Sequence, residues 1–224
     1  VRRYDGASRG CRRARGWLVG RLTCVAPDRA GALARVVEYF ERHPEGGVVL
    51  ADTGVVDGEG RYLCERKAVP PQRYHSLVGG GLSYLTCSAF MRRRAVERLG
   101  LYFDTRWRII ADAVWAVRLV ESGARMAVLR EFTSAFTQTA ENLSLQPAAA
   151  VEAMQLAQQT PWWVRRAVPL VRAHFRLRRW MAGAYRCRPH EYSIFPRVSP
   201  EVRQKFRVQH PTYRWAYPPG VTRA

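Results

Sequence analysis

The sequence predicts an α/β fold, in which helices are layered on a partly parallel sheet and a basic helical extension follows. Two observations lead to this prediction. Helical and strand-like patterns alternate between residues 31 and 131, as they do in chains that build one sheet from strand–helix units. Apolar residues make up 47% of the 224 residues, which is enough for one hydrophobic core.

The first predicted elements are a helix and a strand. Apolar residues recur at helical spacing over residues 33–40, and Pro44 is expected to stop the chain just beyond this helix. Residues 48–56 are rich in valine and are predicted to form a strand. The Asp-Gly-Glu-Gly sequence at 57–60 is predicted to turn the chain into a following strand.

A loop rich in proline and glycine is predicted at residues 69–81, before a strand at 83–88. Its three consecutive glycines do not fit the G-x-G-x-x-G pattern, so no phosphate-binding turn is predicted there. A short helix is predicted at 91–99, with Gly100 well placed to end it.

The predicted alternation ends with a helix at 113–122 and a strand at 125–131. Farther along, Thr160 and Pro161 predict the start of a long helix, because threonine is a favoured cap and proline a favoured first residue. Pro169 is expected to kink this helix.

The long C-terminal helix is predicted to have apolar sides and a basic side. One apolar set comprises Trp163, Ala167, Leu170, His174, Leu177 and Met181, and a neighbouring set comprises Val164, Val168, Val171 and Phe175. Four arginines gather opposite the first set: Arg165, Arg172, Arg176 and Arg179. Such a helix can lie on an anionic membrane surface. The alternative is a helix packed on the rest of the chain, with its arginines in water.

The net charge of +19 is concentrated at the two ends of the chain. Residues 1–30 carry eight arginines against two aspartates, and residues 161–224 carry fourteen basic residues against two glutamates. Residues 31–160 carry fifteen basic and fourteen acidic residues and are close to neutral. No recognised nucleic-acid-binding motif accompanies the charge, so nucleic acid is the least favoured partner.

Cysteine usage and hydropathy restrict the compartment. The five cysteines are scattered and form no CxxC pair, which argues against a disulfide framework or a structural zinc site and favours the cytoplasm. No apolar run approaches the roughly 18 residues that span a bilayer. The N-terminal arginines are followed by no apolar segment, so no signal peptide is predicted.

Four stretches resemble, in their order and spacing, the family 2 glycosyltransferases of the GT-A type. Residues 31–44 (GALARVVEYFERHP) look like the helix that follows the metal-binding turn in that family, and residues 48–60 (VVLADTGVVDGEG) look like its next strand and turn. Residues 87–104 resemble the segment that leads to the acceptor side. Residues 110–129 resemble the motif that carries the catalytic base.

The resemblance implies an incomplete GT-A sheet, which is Rossmann-like, over residues 1–145, with residues 1–30 degenerate. Residues 146–224 would then form the C-terminal extension. The activity that it implies is inverting transfer of a sugar from a nucleotide-sugar to an unknown sugar or lipid-linked acceptor.

The resemblance also places the catalytic base at Asp112. An inverting transfer needs a carboxylate that takes the proton of the acceptor hydroxyl as its oxygen attacks the anomeric carbon. The residues alone allow another interpretation, in which Asp112 caps the helix that follows it. Asp104 would shape the acceptor pocket or would be a turn residue. Trp107 and Trp115 would stack on a sugar or would be buried in the core.

The metal-binding element of the family has no counterpart in the sequence. Family members hold the donor diphosphate through Mg²⁺ or Mn²⁺ on a D-x-D or D-D element, because hard cations prefer oxygen ligands. The resemblance places this element at residues 24–26, which are Cys, Val and Ala. No metal site or cofactor is therefore predicted for this chain, and the nucleotide-binding strand–helix units are also expected to be missing.

Two functional hypotheses result. The first is a glycosyltransferase that is truncated or impaired. The cause would be an error in the gene model, decay of the gene or a change of the protein into a pseudoenzyme. The second is a non-catalytic pseudoenzyme that binds an anionic membrane surface, at the inner face of the membrane, through its basic C-terminal helix.

Overall fold

The computed structural model describes residues 15–20, 31–78 and 82–215, together with Gly10 and Arg13. These residues form a mixed α/β fold with a mixed sheet, several helices and a separate hairpin. The strands are β1 (Leu18–Gly20), β2 (Val48–Val56), β3 (Tyr62–Arg66), β4 (Ala89–Arg92), β5 (Met126–Thr137), β6 (His190–Ile194) and β7 (Gln204–Val208). The helices are α1 (Ala32–Arg42), α2 (Arg73–Val78), α3 (Arg93–Leu99), α4 (Ala111–Glu121), α5 (Pro147–Gln158), α6 (Trp162–Arg166) and α7 (Val168–Met181).

Strand β2 is the centre of the sheet. Strand β5 runs parallel to it along its whole length. On its other edge, β4 pairs with the first half of β2 and β3 pairs with the second half, and both are antiparallel to it. Strand β1 is antiparallel to β4. The prediction of a partly parallel sheet is confirmed by the β2–β5 pair.

Helices cover both faces of β2. Val48 and Leu50 point into the main core with Trp115 of α4, whereas Val49 and Ala51 point to the other face, against Phe40 of α1. Successive side chains of a strand alternate between its two faces. A strand that is buried on both faces is expected to be almost continuously apolar, which is why the valine-rich run at 48–56 is recognisable from sequence.

The predicted strand at 83–88 is wrong. A 3₁₀ turn occupies Thr86–Ser88, and the strand begins after it, as β4. The Ser88 hydroxyl shares hydrogen bonds with the hydroxyls of Thr53 (2.7 Å) and Ser134 (2.6 Å) on the neighbouring strands β2 and β5. This buried hydroxyl network accounts for a turn where the sequence pattern indicates extended chain.

The predicted loop at 69–81 contains a helix, α2. Its residue Leu77 is buried against Val117 of α4 and Leu156 of α5. A six-residue helix is too short to be stable alone, so these tertiary contacts, which the sequence pattern does not show, stabilise it. Residues 79–81 lie outside the described residues.

The long helix predicted after Thr160 is two helices. Helix α6 ends at Arg166, and α7 begins at Val168 with Pro169 in its first turn. A proline in the first turn costs no intrahelical hydrogen bond. The structure therefore starts a new helix just before Pro169, whereas the sequence predicts one helix with a kink at this residue. The cap of α6 is Pro161, and Thr160 makes no side-chain capping bond.

The tail forms the two-stranded hairpin β6–β7. Its residues Ile194 and Phe206 pack against Val56 of β2 and Ala135 of β5. The hairpin therefore covers one end of the sheet. Among the described residues, no helix has both the length and the apolar character needed to span a membrane.

Candidate functional site

Asp112 lies in the first turn of α4 and is partly exposed. Its Oδ1 atom accepts the backbone N–H of Ala113 at 2.9 Å. The N-cap of α4 is Ile110, so the interpretation of Asp112 as the capping residue is wrong. A carboxylate in the first turn is favoured because the N-terminal end of a helix carries a partial positive charge.

Glu152 of α5 performs the capping role. Its Oε1 atom accepts the N–H of Arg108 at 3.0 Å, and its Oε2 atom accepts those of Ile109 at 2.9 Å and Ile110 at 3.1 Å. These bonds satisfy backbone donors that no carbonyl of the helix can reach. They fix the loop that leads to Asp112. Sequence reasoning misses Glu152, because it lies more than forty residues farther along the chain.

Tyr84 is the buried neighbour of Asp112. The pKa of Tyr84 is raised well above its usual value by burial and, to a smaller extent, by the negative charge of Asp112. Its hydroxyl is buried and has no hydrogen-bond partner among the described residues. A partly exposed carboxylate therefore lies near a buried phenol that stays protonated.

Trp115 belongs to the core beneath this site. Its ring stacks on Phe103, with centroids 5.3 Å apart, and meets Tyr84 edge-on at 6.1 Å. Its Nε1–H donates to the carbonyl of Leu101 at 3.0 Å. Since the residue is only 1% exposed, neither face of the indole can accept a sugar. The sugar-stacking interpretation of Trp115 is wrong.

Trp107 and Asp104 lie on the loop between α3 and α4. Trp107 is partly buried and packs against both the main core and the cluster formed by α2, α4 and α5. Asp104 accepts the backbone N–H of Arg106 at 3.1 Å and pairs with its guanidinium at 2.7 Å. This pairing lowers the pKa of Asp104. Asp104 is thus a turn residue, and a contact of either side chain with an acceptor stays a prediction.

A second polar centre lies in the middle of β2. The Oδ1 atom of Asp52 accepts the N–H of Ala68 at 2.8 Å and a guanidinium N–H of Arg130 at 2.9 Å. Burial raises the pKa of Asp52 to about 6, and Arg130 opposes this rise. Arg130 also donates to the carbonyls of Ala68 and Ala182. Through Arg130, Asp52 therefore links the sheet to the end of α7, a role that its position within a strand does not suggest.

A cleft of about 430 Å³ lies at the opposite end of α4 from Asp112. Asp112 does not line it, whereas Gly123 does, and at 1.5 Å per residue the two are about 16 Å apart. The cleft is basic, with Arg92, Arg94, Arg98 and Arg125 in its lining. Arg92 is committed to the backbone, because its guanidinium donates to the carbonyls of Gly46, His43 and Phe40.

The four arginines predicted to face a membrane separate into two groups. Arg165, Arg172 and Arg176 are exposed to solvent. Arg179 is buried, with its guanidinium 5.8 Å from the centre of the Phe175 ring and 5.1 Å from that of Tyr185. Its pKa is lowered by this burial. The membrane-facing prediction for Arg179 is therefore wrong.

No group of three or more potential metal ligands occurs among the residues that the structure describes. The stretch at 24–26, to which the resemblance assigns the metal-binding element, lies outside those residues.

No family model matches the chain, and no curated protein matches it.

Proposed function

We propose that this chain is a glycosyltransferase-like protein in which Asp112 is the base of an inverting transfer. The observation that carries the proposal is the position of Asp112. Its carboxylate lies partly exposed in the first turn of α4, beside the buried Tyr84. The sequence resemblance over residues 31–145 supports the same assignment, and on the same ground we propose that the sheet is part of a GT-A fold.

In the proposed reaction, the hydroxyl of a sugar or lipid-linked acceptor loses its proton to the carboxylate of Asp112. Its oxygen forms a bond to the anomeric carbon of a nucleotide-sugar, and the bond from that carbon to the diphosphate oxygen breaks. The diphosphate leaves with the bonding electron pair, so atoms and charge balance. General-base catalysis of this kind contributes about 10²- to 10⁴-fold to a rate.

The local structure suits a base that must hold its place. Glu152 fixes the backbone before α4 through its three hydrogen bonds, and the core residue Trp115 holds the helix from below. The residues at 24–26 are Cys, Val and Ala, and these do not fit Mg²⁺ or Mn²⁺, which require oxygen ligands. No step of the proposal uses a metal.

Release of nucleoside diphosphate from a panel of nucleotide-sugars, with sugar and lipid-linked acceptors, tests the proposal. The wild-type chain is expected to release diphosphate with one donor, and Asp112→Asn is expected to lower the rate by about 100-fold or more. The matched control is Glu121→Gln, a carboxylate at the other end of the same helix, which is expected to retain the rate.

Equal rates for wild type and Asp112→Asn would contradict the assignment of Asp112 as the base. If the wild-type chain releases no diphosphate with any donor, the proposal that this chain is a catalyst is contradicted. The second candidate, a non-catalytic protein that binds an anionic membrane surface, would then stand.

A further inference from the structure

The C-terminal helices leave a row of large apolar side chains in water. Helices α6 and α7 bury Val164 and Phe175 against the rest of the chain. Four members of the other apolar set, which the sequence pattern alone does not orient, face outward and form one exposed surface with two further tryptophans. We call it the apolar ridge, and each of its six residues is at least half exposed: Trp162, Trp163, Leu170, Leu177, Trp180 and Met181.

The ridge is continuous on the surface of α7. Leu170, Leu177 and Met181 are separated by seven and four residues, which places them on one face of the helix. Phe175 lies on the opposite, buried face. In α6, Trp163 keeps one edge against Tyr74 of α2, with ring centroids 5.7 Å apart. The two helices that carry the ridge are therefore anchored on their inner sides to the rest of the chain.

Exposed arginines share the two helices with the ridge, and no acidic residue lies nearby in the sequence. Arg165, Arg166, Arg172 and Arg176 are exposed, and the guanidinium of Arg166 lies over the ring of Trp162, 5.3 Å from its centre. Residues 161–190 contain no aspartate or glutamate. The surroundings of the ridge are thus strongly cationic.

We propose that the apolar ridge docks on the surface of an anionic lipid bilayer. Its leucine, methionine and tryptophan side chains would enter the boundary between headgroups and acyl chains, and the exposed arginines of the same helices would reach lipid phosphates. Tryptophan is well suited to this depth, because its ring is apolar and its N–H is polar. The surface requires no catalysis, so it stands independently of the function proposed for Asp112.

Charge selects the bilayer over the other occupants of an exposed apolar surface. A second copy of this chain would bring two strongly cationic helix pairs together, and like charges oppose that contact. A nucleic acid would neutralise the arginines but would leave the six apolar side chains in water. An anionic bilayer satisfies both parts of the surface.

Co-sedimentation with vesicles of phosphatidylcholine, with and without phosphatidylglycerol, tests this proposal. Wild type is expected to pellet with the anionic vesicles and far less with the neutral ones. The ridge variant Leu170→Ser/Leu177→Ser/Met181→Ser is expected to lower the partition coefficient by about tenfold or more. The charge variant Arg165→Gln/Arg172→Gln/Arg176→Gln is expected to lower it by about 100-fold with anionic vesicles and to weaken the preference for anionic lipid.

A control variant separates the ridge from general surface apolarity. Val151→Ser/Met154→Ser changes two exposed apolar residues of α5 and is expected to pellet like wild type. All the substituted residues are exposed, so every variant should keep the wild-type circular dichroism spectrum. Vesicles with brominated acyl chains are expected to quench tryptophan fluorescence in wild type and to quench it much less in the ridge variant.

Three results would overturn the proposal. Wild type that stays in the supernatant with anionic vesicles would contradict docking. Equal pelleting of the ridge variant and wild type would show that the arginines alone adsorb to lipid. A lipid-free dimer in sedimentation velocity, lost in the ridge variant, would assign the ridge to a second copy of the chain.

Discussion

The carboxylate of Glu152 accepts three consecutive backbone N–H groups ahead of α4. Helices are usually capped by a residue at their own N-terminus, whereas this cap comes from another helix, α5. The same contact joins α5 to the loop that carries the proposed base. One side chain thus connects α5 to the position of Asp112.

Replacement of Glu152 by alanine is expected to lower the free energy of unfolding by about 1–2 kcal/mol, because three backbone donors lose their acceptor. Urea unfolding followed by tryptophan fluorescence measures the change. Glu141→Ala is the control, since Glu141 is exposed and pairs with Arg197 at the surface. Its effect is expected to stay within about 0.5 kcal/mol, and equal losses for both variants would contradict the capping role.

Trp115 shows what burial decides for a single residue. From sequence, the same tryptophan fits a sugar-binding face or a core, because both use a large aromatic surface. Its helical neighbours do not separate the two, since the exposure of a side chain depends on elements that are distant in sequence. The contacts with Phe103 and Tyr84 settle the matter in favour of the core.

Elements with a sustained apolar pattern are predictable from the sequence. Helix α1 has Val36 and Phe40 on its buried side, and β2 is buried on both faces. Helix α5 escapes sequence-based prediction, because it buries Leu156 alone and no apolar stripe marks it. In α7, two apolar sets compete, and only the packing of Phe175 shows which one faces inward.

The candidate site follows the same rule. The sequence pattern of residues 110–129 places Asp112 at the start of a helix, which the structure shows as α4. It does not predict Glu152 and Tyr84, because each reaches the site from another part of the fold. Short motifs carry information about residues that are adjacent in sequence, and such partners are adjacent only in space.

The tail hairpin docks on the turn before β3 through a glycine. Gly60 has φ of 89°, a conformation that other residues rarely adopt. A Cβ atom at this position would come within 3.0 Å of the Phe206 ring and 3.1 Å of Ile194. The turn and the hairpin therefore meet at a point that only glycine allows.

Gly60→Ala is expected to lower the free energy of unfolding by about 2 kcal/mol, through backbone strain and the displaced Phe206 ring. Urea unfolding measures the loss. Gly58→Ala in the same turn is the control, because a Cβ atom there would meet no described atom within 4 Å, and its effect is expected to be about 0.5 kcal/mol or less. Equal stability of the two variants would show that the hairpin does not depend on this contact.

Two buried groups make the stability of the protein change with pH in opposite directions. Burial, and then the charges of His174 and Arg178, lower the pKa of His75 from 6.5 to about 4. Burial raises the pKa of Asp52 from 3.8 to about 6. As pH falls from 6.5 to 4, the unfolded chain gains a proton at His75, which lowers stability. As pH falls from 6 to 3.8, the folded chain gains one at Asp52, which raises stability.

The two contributions therefore oppose each other between about pH 4 and pH 6. Compared with wild type, His75→Gln is expected to become more stable on acidification, and Asp52→Asn is expected to become less stable. Each difference in slope is at most about 1.4 kcal/mol per pH unit, the value for one proton. Urea unfolding at a series of pH values measures the slopes, and parallel curves for wild type and both variants would contradict the assignment.

The tail also touches β3 beyond the hairpin. The backbone N–H of Glu65 donates to the carbonyl of Thr212 at 2.9 Å, and the Tyr62 hydroxyl bonds to the backbone of the same residue. These bonds lie on the edge of β3 that faces away from β2. An uncovered strand edge is a template for pairing with another chain, so this short stretch of tail is expected to protect the protein against aggregation. A chain shortened to end at Val208 is expected to scatter light on standing at concentrations where the full chain stays clear.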